Sequence, residues 1–403
     1  MNSAMPPFGL RRLLTVGLVG VLALAACAPA ATPTAVPVEP TTAPPTAMPT
    51  AVPPTEAPTA APTEVPPTEA PAEIVVTDAL DREVIFAELP QRIVIAGRAT
   101  TLVADAFFLF PEAAERLVGF EQRGQSALKF LTVVDPTFTE KTMLEMNAAA
   151  EQIAPLEPDV VILKSAMAEK LGTPLEAIGI KVVYVDLETP EQFDRDITAM
   201  GQLLGNPERA EEILAFFKAR VDAISAKTDG LAEDARPRVL LLQHSEEGGE
   251  VAFNVPPEGW LQTTLVRIAG GTPVWIEASE AGGWTIVNFE QIAAWDPDQI
   301  FIVSYNSDSD VIAAGLMDDP TWQGLKAVEN RQVYGFAGDF YSWDQPDPRW
   351  VLGLDWLYTW IQPELSADVD LEQAVDAFYT ELYGLDEAVV AEQVLPNLYG
   401  SMP

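Results

Sequence analysis

Glu151-Gln152-Ile153-Ala154-Pro155-Leu156-Glu157-Pro158-Asp159 is matched further along the chain by Glu290-Gln291-Ile292-Ala293-Ala294-Trp295-Asp296-Pro297-Asp298. Each copy runs straight into an apolar stretch, Val160–Leu163 and Ile300–Val303. A short helix, a Pro-Asp turn and a buried strand make one supersecondary unit, and its recurrence implies two similar lobes. Working outward, Pro90-Gln91-Arg92-Ile93 is echoed by Pro237-Arg238-Val239, and Thr100-Thr101-Leu102-Val103 by Thr263-Thr264-Leu265-Val266. Three segments recur in the same order, so the duplication extends over the lobe. It places one glutamate, Glu151 or Glu290, at the same point of each lobe, which suits a partner with two-fold symmetry.

The segments between the repeats alternate strand and helix. Ile74–Phe86 alternates around Asp78-Ala79-Leu80-Asp81 and predicts a hairpin. Ile93–Ile95, Leu117–Phe120, Val160–Leu163 and Lys181–Val185 read as short buried strands, with helical spacing over Thr100–Phe110 and Glu169–Ile178. Such alternation argues an α/β lobe with a mostly parallel sheet. Pro190–Leu204 and Pro207–Lys227 carry apolar residues at helical spacing, each opened by proline at a first helical position. The second is long and lies between the lobes, so it reads as a rigid helical connector. Helices are expected again around Trp350–Trp360 and Leu371–Leu395.

The chain ends and composition bound the function. Arg11 and Arg12 precede an apolar stretch, Leu13–Ala26, too short to span a bilayer comfortably. Leu24-Ala25-Ala26-Cys27 resembles a bacterial lipobox, in which Cys27 would carry the lipid; the alternative is an ordinary secretory signal. Cys27 is the sole cysteine, leaving nothing for disulfides. Fourteen of the 45 residues Ala28–Ala72 are proline, which favours an extended tether over a packed core. The expected organisation is a signal peptide (1–26), a lipid-anchored tether (27–72), an N-terminal lobe (73–189), a helical connector (190–235) and a C-terminal lobe with terminal helices (236–403). Beyond the signal, 21 basic residues face 60 acidic ones, a net charge near −39. That excludes nucleic acid as a partner and leaves the lipid anchor as the only membrane contact. His244 is the sole histidine, so no site of several imidazoles or thiolates is expected for a bare metal ion. Acids at Asp308 and Asp310 read as solvated loop residues.

The order of hairpin, Pro-x-Arg-Ile-Val strand, Glu-x-Ile-x-x-Leu-x-Pro-Asp-Val-Val-Ile, helical linker and second lobe resembles the periplasmic binding proteins for iron complexes and cobalamin. Thr77–Val84, Pro90–Val94 and Trp343-Asp344-Gln345-Pro346-Asp347-Pro348-Arg349-Trp350 carry the resemblance, which covers about Val75 to Leu365. It implies two similar α/β/α lobes with mostly parallel sheets, joined by a single long helix, with a ligand cleft between them. It implies no enzymatic activity and no cofactor, an extracytoplasmic location, and delivery to a dimeric ABC permease with its ATPase subunits. Glu151 and Glu290 match the glutamates that dock on the permease.

In such proteins the ligand meets loops at the strand ends. Arg98 and Arg123 follow strands of the first lobe and suit an anionic complex. Phe253, Trp260, Trp284, Tyr341 and Trp343 offer flat surface to a large chelate; Trp284 falls where similar cobalamin binders carry a ligand-contacting tryptophan. Arg349, opening a helix after Pro348, reads as a structural ion-pair partner. A ferric siderophore or other iron chelate is the first ligand expected, a corrinoid the second, with haem, molybdate and tungstate open. Two other functions compete: an exported hydrolase using Glu151 and Glu290 as a carboxylate pair, and a surface receptor without a permease.

Overall fold

Asp78 is 0% exposed although it sits in a turn, and its carboxylate decides the first element. It accepts from the backbone N–H of Leu80 (2.9 Å) and Arg82 (3.1 Å) and pairs with the Arg82 guanidinium at 2.7 Å. The turn closes an antiparallel hairpin of β1 (Ile74–Thr77) and β2 (Glu83–Phe86). Arg82 Nη2 also donates to the Val182 carbonyl at 3.0 Å, which fastens the hairpin to the first lobe. This computed structural model describes residues 73–122, 128–247 and 250–403. The expected signal peptide, Cys27, the tether and Arg123 lie outside the described residues.

The first lobe is a five-stranded sheet in the order β5-β4-β3-β6-β7. Its strands are β3 (Ile93–Ile95), β4 (Leu117–Glu121), β5 (Thr142–Leu144), β6 (Val160–Lys164) and β7 (Lys181–Val185), all parallel. β3 and β6 are buried at every position, as strands covered on both faces require. Helices α1 (Thr100–Phe107), α2 (Leu128–Val134) and α3 (Ala150–Ile153) belong to this lobe.

Two helices follow. In α4 (Pro190–Leu204), Thr189 caps the N-terminus by accepting from Gln192 N at 3.2 Å. In α5 (Pro207–Thr228), Asn206 accepts from Arg209 N at 3.1 Å. The 22 residues of α5 reach about 33 Å at 1.5 Å per residue. Arg209 near its start donates to the Leu109 carbonyl of the first lobe at 3.1 Å, and Thr228 at its end to the Ile268 carbonyl of the second at 2.8 Å.

The second lobe departs from its twin. β8 (Arg238–Glu247) turns back as antiparallel β9 (Glu250–Val255), and the sheet order is β11-β9-β8-β12-β13, with β10 (Thr272–Pro273) also on β8. β11 is Thr285–Val287, β12 Gln299–Val303 and β13 Val333–Gly335. Helices α6 (Leu261–Ile268), α7 (Phe289–Trp295) and α8 (Trp350–Ile361) flank the sheet. Phe253, expected on a loop at a strand end, stands on β9, because β8 runs on past Leu242 and returns.

The repeat has the same structural job twice. Asp159 Oδ2 accepts from Gln91 N (2.8 Å) and Arg92 N (2.9 Å), while Asp159 N donates to the Arg92 carbonyl at 2.8 Å. Asp298 Oδ2 accepts from Arg238 N at 2.8 Å, and its own N–H reaches the Arg238 carbonyl at 2.8 Å. Arg92 and Arg238 in turn donate to the carbonyls of Leu156 and Trp295 (2.6 and 2.7 Å). The Pro-Asp turn therefore locks the start of one strand to the start of its neighbour. Asp159→Ala is expected to cost about 1 kcal/mol, as these bonds are solvent-accessible; urea denaturation with no measurable loss would remove this account.

Candidate functional site

The glutamates of the repeat take no part in its capping or turn bonds. In both copies the glutamine completes the helix start: Gln152 Oε1 accepts from Ala149 N at 2.9 Å and Gln291 Oε1 from Asn288 N at 3.0 Å. Ile153 and Ile292 are 0% exposed. Glu151 and Glu290 occupy the second position of α3 and α7, exposed, with no ion pair among the described residues. The first helical turn favours their charge. Phe253 supports one of them from behind: its ring lies 5.2 Å from Trp322, which is 5.5 Å from Phe289 at the start of α7.

The strand ends of the first lobe carry Arg98, exposed and in no ion pair among the described residues. Its loop is organised by Glu121, a 0% exposed carboxylate at the end of β4. Glu121 Oε2 accepts from Gly97 N at 2.7 Å and Oε1 from Asn147 N at 2.8 Å, so one side chain fixes the loops after β3 and β5. Gly97 has φ +86°, and a Cβ there would come within 3.0 Å of Met167, so the turn into Arg98 needs glycine. Lys164, at the end of β6, is neutralised by Glu188 at 2.6 Å.

The strand ends of the second lobe hold an aromatic cluster. Trp260 and Trp284 meet edge to face at 5.8 Å, and Trp284 lies 6.5 Å from Tyr305. Both tryptophans are half-buried, and Tyr305 is 39% exposed. The Tyr305 hydroxyl donates to Asp344 Oδ2 at 2.7 Å, and Gln262 Nε2 donates to the same oxygen at 3.2 Å. Asp344 is 0% exposed, and burial raises its pKa above the usual carboxylate range. Glu121, Tyr305 and Asp344 were not singled out from the sequence. Tyr305 was within reach, because it lies two residues past β12 at the end where open α/β sheets bind ligands.

Tyr341 and Trp343 are placed otherwise than the sequence reading expected. Trp343 is 0% exposed, with Nε1 donating to Asp339 Oδ2 at 3.1 Å. Helix α8 packs so closely that a Cβ on Gly353 would lie 2.3 Å from the Trp343 carbonyl oxygen. Tyr341 is 7% exposed, its ring turned to the Arg349 guanidinium at 4.8 Å. Neither presents side-chain surface to a ligand in this conformation. Arg349 is the ion-pair partner its context suggested, bonded to Asp105 at 2.6 Å and Asp339 at 2.8 Å.

Among the described residues no group of three or more His, Cys, Asp and Glu side chains is placed to hold a metal ion, and no helix is long and apolar enough to cross a membrane. Burial lowers the pKa of His244 on β8. A surface cavity of about 450 Å³ is lined by Glu233, Asp234, Arg236, Arg238, Thr272 and Asp298. It lies at the N-terminal ends of the second lobe's strands, opposite the loops described above.

Comparison with known proteins fits this geometry. The profile of the periplasmic binding protein family matches residues 133–339. The molybdate-binding protein MolA of Haemophilus influenzae is 20% identical over 335 residues, 77% of this chain and 90% of that protein. The iron-uptake system-binding protein of Bacillus subtilis is 23% identical over 48% of this chain and 60% of its own length. Among solved structures, a periplasmic solute binding protein from Veillonella parvula superposes with a TM-score of 0.65 at 24% identity, covering 80% of this chain and 97% of its own. MolA bound to molybdate superposes with a TM-score of 0.63 at 19% identity, over 77% and 98% of the two chains. With two α/β lobes, a helical connector and a family match over half its length, this chain belongs to the periplasmic binding protein family.

Proposed function

We propose that this chain is a lipid-anchored solute receptor that captures an iron chelate on the loops between its lobes and delivers it to a dimeric ABC permease. As a periplasmic binding protein it is a non-enzymatic transport component. The observation that supports a large organic ligand is the Trp260–Trp284–Tyr305 cluster at the second lobe's strand ends, together with Arg98 at the first lobe's strand ends, exposed and in no ion pair among the described residues. Half-buried aromatics supply contact area at low entropic cost, and an exposed guanidinium suits a chelate that carries carboxylates or net negative charge. Cys27 as the lipidated residue and the proline-rich stretch after it support tethering at the membrane. Trp284 also favours a corrinoid as the second ligand.

The test is a thermal-shift and tryptophan-fluorescence screen of the purified protein against ferric citrate, a ferric catecholate, a ferric hydroxamate, cyanocobalamin, haem, molybdate and tungstate. A shift with a ferric chelate is the expected result. Preference for cyanocobalamin selects the second ligand, and binding of the bare oxyanions alone overturns the chelate reading. Trp284→Ala is expected to weaken the ligand found by about thirtyfold, roughly 2 kcal/mol. An unchanged Kd removes the aromatic cluster from the site.

A further inference from the structure

Arg349 is buried where the two lobes meet, and nothing in ligand capture or docking explains its environment. Its guanidinium is 0% exposed. Nη1 lies 2.6 Å from Asp105 Oδ2 on α1 of the first lobe. Nε lies 2.8 Å from Asp339 Oδ1, in the second-lobe loop after β13, and Asp347 Oδ2 is 3.6 Å from Nη1. The Phe130 ring of α2 covers the guanidinium at 4.1 Å, with Tyr341 at 4.8 Å and Tyr379 at 5.8 Å. The Tyr379 hydroxyl donates to Asp339, and that of Tyr383 to the Asp105 carbonyl at 3.1 Å.

Both ends of this bridge lead to the walls of the proposed cleft. Helix α1, which carries Asp105, starts directly after Arg98 and Ala99. The loop that carries Asp339 continues to Asp344, which holds the Tyr305 hydroxyl. One guanidinium thus links the support of the basic wall to the support of the aromatic wall. A helical connector alone resists bending but leaves two lobes free to twist about it. A buried, hydrogen-bonded ion pair resists separation, because breaking it strands charge away from water.

We infer that Arg349 and Asp105 are positioning residues for the cleft, a buried clasp that sets the separation and tilt of its two walls. The clasp gains its meaning for ligand capture from the function proposed above, but its test needs no ligand. Spin labels at Glu145→Cys and Glu280→Cys, exposed residues of opposite lobes, report the interlobe distance in the full chain carrying Cys27→Ser. With the clasp intact, one narrow distance distribution is expected. Asp105→Ala should broaden it at least twofold with unchanged helical circular dichroism, and Asp105→Asn, which keeps a hydrogen bond, should fall between. If the alanine variant fails to fold, the asparagine variant carries the test. A folded variant whose distribution superimposes on that of the intact clasp overturns the inference. A parent protein that binds none of the seven probes overturns the function reading instead, and the distance measurement still decides the clasp.

Discussion

Arg349→Met is expected to lower the free energy of unfolding by about 3–5 kcal/mol, because it leaves the carboxyls of Asp105, Asp339 and Asp347 buried without their cation. The loss should depend on pH with a definite sign. Burial raises the Asp105 pKa from 3.8 to about 7, against the opposing pull of Arg349. A carboxyl whose pKa is higher in the fold than in the unfolded chain favours folding most when protonated. Its contribution is present below pH 4 and is lost as pH rises through about 7. Without the guanidinium, ionisation of Asp105 and Asp347 becomes costlier still. The methionine variant should therefore fall further below the parent at pH 8 than at pH 5 in urea denaturation. A loss that is equal at both pH values would show that the carboxyls are not coupled to Arg349.

Removing both docking candidates should have the opposite signature, with transport lost and nothing else changed. The proposed docking role predicts that Glu151→Ala or Glu290→Ala alone lowers uptake about tenfold or more, since each charge-assisted contact is worth about 1.5–3 kcal/mol. The double variant should abolish uptake. Ligand affinity and thermal midpoint should stay at parent values, because both side chains are exposed and lie outside the capping bonds made by Gln152 and Gln291. Uptake by vesicles containing the cognate permease, set beside a fluorescence titration of the same variants, reads the two quantities separately. A fall in affinity with uptake preserved per bound ligand would move these glutamates out of the docking surface.

The two lobes and most strands were legible because their signals are local. Buried strands such as Ile93-Val94-Ile95 and Val160–Leu163 are continuous apolar runs, and the proline-initiated helices begin where the sequence placed them. The antiparallel return of β9 was missed because the pairing of His244 with Phe253 depends on a turn, not on composition. The terminal helices hid a larger fact. Residues expected to close the second lobe reach the first, where Tyr379 and Tyr383 pack on Phe130 at 5.6 and 4.9 Å, and the connector α5, whose Arg209 donates to the Leu382 carbonyl at 2.7 Å.

The order of residues already shows which segments are apolar and periodic, that one unit occurs twice, and that each copy offers a glutamate. Those properties are carried by residues a few positions apart. The surroundings of each aromatic and charged side chain emerge only when the distant segments pack. Trp284 and Trp343 look alike as sequence, yet one is half-buried beside Trp260 and the other is sealed beneath Gly353 of α8. Arg349 finds Asp105 across 244 residues. A buried charge takes the partner that packing brings within reach, and no local spacing encodes which one that will be.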